Sequence, residues 1–101
     1  HPGLDIAVDF GAPVYATAAG TIEQAGWNGG YGRYVRINHG NGYETAYGHM
    51  SGIAVAAGQK VIKGEIIGFV GSTGYSTGPH IHYEVLADGQ NIDPFYVLKN
   101  K

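Results

Sequence analysis

No window of this chain carries an apolar stripe of 3.6-residue period with capping residues, and its one Ala-rich stretch, Ile53 to Ala57, is broken at once by Gly58. Helices are therefore not expected. The 18 glycines among 101 residues instead demand frequent turns or close backbone approaches.

What lies between the glycines is β-prone. From Leu4 the chain alternates, with Leu4, Ile6, Val8 and Phe10 on one parity and His1, Gly3, Asp5, Ala7 and Asp9 on the other, the period of a half-buried strand. Further short runs follow: Val14 to Thr17, Gly20 to Gln24, Arg33 to His39, Tyr43 to His49, Gln59 to Ile62, Ile66 to Val70 and Ile81 to Leu86. Signals such as Asn28-Gly29-Gly30 and Asn41-Gly42 punctuate them. Many short, closely spaced strands predict an all-β fold, a sandwich or barrel. Gly20-Thr21-Ile22 and Gly64 to Gly68 look alike as strand entries, a weak trace of internal duplication.

Composition narrows the function. A net charge of −2 with Lys and Arg scattered singly gives no basic stripe, which argues against nucleic-acid and anionic-lipid binding. The absence of Cys excludes disulfides, thiolate zinc sites and cysteine nucleophiles, so a metal would have to rely on His and carboxylate ligands. No apolar run approaches the ~18 residues that read as a membrane span, and no charged-then-apolar leader precedes His1. A chain beginning within a motif reads as a domain excised from something longer.

Four of the five histidines fall where a metal hydrolase would need them; His39 does not. His1 and Asp5 share a strand face. In His80-Ile81-His82-Tyr83-Glu84-Val85 both imidazoles and Glu84 point one way, while Ile81, Tyr83 and Val85 point to the core. A catalytic zinc keeps three protein ligands and an open position for water, and His1, Asp5 and one member of the His80/His82 pair would complete such a set. Taken separately, each piece reads as a solvated strand face. Together, in a Cys-free domain, they favour a metal. His49 shares its strand face with Tyr43, Thr45 and Tyr47 and is either a satisfied strand-end histidine or a catalytic one.

The run Gly71 to Pro79 lacks the Lys of a phosphate loop and leads into a strand, so it reads as a cleft wall. It holds no Gly-x-Ser-x-Gly elbow for a serine nucleophile. Trp27, Tyr31, Tyr34, Tyr47 and Tyr75 are candidates to line a groove, with core packing the equal alternative for Tyr34.

Read in order, His1-Pro2-Gly3-Leu4-Asp5, Val14-Tyr15-Ala16 with Gly20, Tyr47-Gly48-His49, Gly71-Ser72-Thr73-Gly74, His80-Ile81-His82-Tyr83-Glu84 and Asp93-Pro94 resemble the LytM/lysostaphin-type zinc endopeptidases over nearly the whole chain. The resemblance implies a small antiparallel β-sandwich, or barrel-sandwich hybrid, with a groove walled by Gly-rich loops around Trp27 to Tyr31, Ser51 to Ala54 and Ser72 to Thr77. It implies one domain over residues 1–101, part of a longer envelope protein, with Zn2+ on His1, Asp5 and His82. His49 and His80 take the catalytic, non-ligand roles, either of them serving as base; Glu84 matches a common family residue.

The substrate so implied is a stem or cross-bridge peptide of peptidoglycan in the bacterial envelope, periplasmic or extracellular. The entry Pro2 to Ala7 resembles members that cut D-Ala-diaminopimelate bonds, with glycyl-glycine cleavage the alternative. Inhibitory prosegments or regulatory envelope proteins accompany such domains, and the isolated domain is expected to be a monomer. A zinc-free activator of a wall amidase would lack metal ligands, and here every ligand position is filled. A phosphocarrier leaves Asp5 unexplained, and a biotin or lipoate carrier needs flanking residues that Lys63 lacks.

Overall fold

The computed structural model describes residues 3–74, 76 and 78–92. Nine strands follow in order: β1 (Leu4–Ala7), β2 (Pro13–Tyr15), β3 (Gly20–Trp27), β4 (Arg33–Gly40), β5 (Tyr43–Ile53), β6 (Lys60–Val61), β7 (Ile66–Val70), β8 (His80–Ala87) and β9 (Gln90–Ile92). The expected all-β architecture is what forms, every strand pair being antiparallel. A single 3-10 turn at Gly29–Tyr31 is the one helical piece among the described residues.

The long strand β5 makes the sandwich. Its first half pairs with β8 and β4, while its end, from Met50 to Ile53, pairs with β7. The main run of strands is β1-β8-β5-β4-β3-β6, with β9 on β8, and β2 and β7 pair with each other on the other side of the core. Between them lies the core, where Val14, Ile67 and Val70 meet Ile22, Val35, Ile37, Tyr47, Met50 and Ile81. Tyr47 is therefore a core residue and not a groove aromatic: its hydroxyl is bonded to Thr17 and Thr45.

Turn chemistry explains the hairpins. Asn41 and Asp88, each followed by Gly, both take φ 52°, as the type I′ turns joining β4 to β5 and β8 to β9 require. The second hairpin adds β9, which period-2 reading did not distinguish from the chain end. β1 ends at Ala7, short of the alternation from Leu4 to Phe10, and Phe10, 67% exposed, lies outside the core.

Met50 is fully buried at the point where β5 changes layers. Met50→Ala is expected to lower stability by about 2–5 kcal/mol, measured as a fall in the urea midpoint with an unchanged m-value.

Candidate active site

β8 supplies the floor of the site. His80, His82 and Glu84 share one face by strand parity, and the register with β1 sets Asp5 opposite His82. His82 Nδ1 lies 2.7 Å from Asp5 Oδ1, and His80 Nε2 lies 3.5 Å from the same oxygen. The other ring nitrogen of His82, Nε2, stands 2.8 Å from Glu84 Oε2. That oxygen also accepts the Tyr31 hydroxyl at 2.8 Å.

The patch is deeper than a solvated strand face. His82 and Glu84 are each 3% exposed, whereas the Asp5 side chain is 46% exposed. Gly3 covers the buried pair: a Cβ there would lie 2.9 Å from His82 Nε2 and 2.8 Å from Glu84 Cγ, so only Gly allows the approach. Burial, and then the hydrogen bond to Glu84, raise the Tyr31 phenol to about 12. It thus remains a donor at neutral pH.

His49 reaches the site by a break in alternation. Tyr47 and Met50 pair with Val35 and Arg33, so β5 spends three steps where β4 spends two. This bulge shifts the pleat by one residue. His49 sits in it with φ 62°, a left-handed conformation rare outside Gly. It therefore leaves the face of Tyr47, contrary to the strict parity of the sequence reading. Its ring centroid lies 4.8 Å from that of His80 and 5.9 Å from that of His82.

The two histidines beside His82 are each fixed through Nδ1. His49 Nδ1 lies 2.6 Å from the Thr73 carbonyl, and His80 Nδ1 lies 2.9 Å from the Gly78 carbonyl and 3.2 Å from Ser76 Oγ. A carbonyl only accepts, so each ring carries its proton on Nδ1 and leaves Nε2 as the acceptor. Burial, outweighing the Thr73 carbonyl, holds His49 below its ordinary 6.5. Thr73 also donates its hydroxyl to Met50 O at 2.7 Å and accepts Arg33 N–H at 3.0 Å.

The remaining sequence candidates divide. His39, the histidine set apart, is tied to Ala19 O and Thr45 Oγ1. Trp27 is 62% exposed and Tyr34 is buried. His1, Tyr75, Thr77 and Asp93-Pro94 lie outside the described residues. The bonds of Tyr31 to Glu84 and of Thr73 to His49 join residues 53 and 24 positions apart, and no local spacing signals them.

Fold and site together define a small β-sandwich with imidazoles and carboxylates clustered on one patch. Residues 1–94 match the model of peptidase family M23, and the chain belongs to that family. It is 53% identical over 97 residues to the DD-carboxypeptidase/endopeptidase Mpg of Neisseria meningitidis serogroup B, covering 96% of this chain and 22% of that protein. It is 44% identical over 93 residues to the peptidoglycan DD-endopeptidase ShyA of Vibrio cholerae, covering 92% and 22%. The chain thus spans about a fifth of the length of these relatives. Among solved structures, the catalytic domain of lysostaphin from Staphylococcus simulans matches at TM-score 0.91 and 37% identity over 98% of this chain and 79% of that one. A zinc-containing peptidase from Vibrio cholerae matches at TM-score 0.88 and 40% identity over 91% and 28%.

These relatives imply a metal. Among the described residues no full set of three His, Asp or Glu ligands is assembled, His1 being outside them. The donor chemistry nonetheless fits: His82 Nδ1 and Asp5 Oδ1 converge, and imidazole with carboxylate is the ligand set of a Cys-free catalytic zinc.

Thr73→Val removes the hydroxyl bridging Met50 and Arg33 while keeping the shape. A loss of about 1–3 kcal/mol is expected from the stranded backbone groups, measurable by urea denaturation.

Proposed function

We propose that this domain is a zinc-dependent endopeptidase that hydrolyses peptide cross-links of bacterial peptidoglycan, a single domain within a longer protein of the cell envelope. The observation that carries the reading is the convergence of His49, His80, His82 and Asp5 on one patch of an M23 domain. Zinc would be held by His1, Asp5 and His82. When bound, it supplies Lewis acidity toward a water and the scissile carbonyl.

The chain's own residues handle the protons. His49 and His80 each present Nε2 as an acceptor, fixed by the carbonyl on Nδ1, so either can take a proton from the attacking water. Once protonated, that imidazole donates its new Nε2–H to the developing oxyanion, a charge that a fixed donor stabilises without reorganisation. Burial of His49 keeps it neutral and ready to accept near pH 7.

D-Ala-diaminopimelate bonds are the proposed target. Identity to chains named DD-endopeptidase, 53% and 44%, exceeds the 37% to lysostaphin. Digestion of purified walls should release amino groups on diaminopimelate; release of glycine termini from pentaglycine-bridged walls instead would assign glycyl-glycine cleavage.

The chain purified without added metal should carry near-stoichiometric zinc, and His82→Ala should lose it. His80→Ala should retain zinc while wall digestion falls by about 10²-fold or more. A folded wild type that takes up no zinc even when it is supplied would overturn this function and favour a non-catalytic activator.

A further inference from the structure

We propose that Tyr31 is a positioning residue of the metal site, its hydroxyl fixing Glu84 and, through Glu84, turning His82 so that Nδ1 faces Asp5. The inference rests on the zinc reading above and goes beyond its ligand set.

Glu84 Oε2 is a shared acceptor, 2.8 Å from the Tyr31 hydroxyl and 2.8 Å from His82 Nε2. With a single donor, a buried carboxylate could swing about its terminal torsion, which is soft, and the imidazole would follow. With two donors from different strands and loops it cannot. The ring of Tyr31 adds a second restraint, lying 5.5 Å from the His82 ring and 5.1 Å from that of Tyr34. Outer partners of this kind set both the tautomer and the direction of a ligating histidine.

Tyr31 is itself held by interlocked backbone. It ends the turn Gly29–Tyr31, and the next residue, Gly32, meets the loop of Thr73 and Gly74 without room for a side chain. A Cβ on Gly32 would lie 2.4 Å from the Thr73 carbonyl carbon, and one on Gly74 would lie 2.4 Å from Gly30 O. The Arg33 N–H to Thr73 bond fastens the same junction. The loop that anchors His49 through the Thr73 carbonyl therefore also packs against the turn that carries Tyr31, the residue that steadies His82. One junction sets the orientation of both.

Zinc dissociation constants, measured by competition with a chromophoric chelator, test this on the wild-type chain, Tyr31→Phe, Glu84→Gln and the double variant. Tyr31→Phe keeps the ring and its packing. It should weaken zinc about tenfold, and Glu84→Gln should do so by 10- to 100-fold. Because Tyr31 acts through Glu84, the double variant should bind zinc no more weakly than Glu84→Gln alone. In the zinc-loaded chain, the His82 Nε2–H resonance should broaden or exchange faster in Tyr31→Phe.

An unchanged zinc constant in Tyr31→Phe, with only a lower unfolding midpoint, would overturn the proposal and leave Tyr31 a packing residue. Full additivity in the double variant would also overturn it, and the Tyr31→Phe constant decides alone if Glu84→Gln does not fold. A folded wild type with no affinity for zinc would remove the metal reading itself, and the proposal with it.

Discussion

His82 stands between Asp5 and Glu84, and the rest of the site is arranged around that imidazole. Burying a carboxylate such as Glu84 is costly unless its charge is balanced and its lone pairs are filled. A single imidazole flanked by two carboxylates leaves net negative charge on the floor of the cleft. A divalent cation beside Nδ1 would neutralise that excess. The electrostatics of the floor and the ligand chemistry thus argue for the same occupant.

The pairing of β8 makes the arrangement rigid. β5 lies along one edge at residues 82–87, while β1 and β9 share the other, at 80–83 and 85–87. Glu84 falls at the joint between β1 and β9, where Gly3 closes over it. A site on a central strand inherits the precision of the sheet, whereas loop residues need separate fixing. His49 receives that fixing from the bulge in β5 and the Thr73 carbonyl, and His80 from the carbonyl of Gly78.

Much of this was legible in the sequence because strand parity is local. His80, His82 and Glu84 share a face whatever the rest of the chain does, and the period-2 runs located seven of the nine strands by themselves, with the alternation at Leu4 marking an eighth. Parity failed at His49, where one extra residue in β5 moves the ring to the opposite face; only pairing with β4 shows the bulge. It also could not show that both faces of β8 are buried, since Ile81 enters the main core, with Tyr83 packed against it, while His82 and Glu84 are covered from the other side. The contacts of Tyr31 and Thr73 depend on two distant loops meeting, which no spacing within either loop encodes.

The two faces of the main sheet answer different demands. A chain of 101 residues buries only ~60–65% of its unfolded surface, so a polar site cut into its main core would be expensive. Here the apolar core occupies the face turned toward β2 and β7, and the opposite face keeps a small cluster of Tyr34, Ala46 and Leu86 with Tyr31 packed on it. That cluster leaves room for Glu84 and His82 beside it without opening the main core. Tyr31 belongs to both parts, its ring in the apolar cluster and its hydroxyl on Glu84. Packing on the outer face and orientation of the buried imidazole are therefore carried by one side chain.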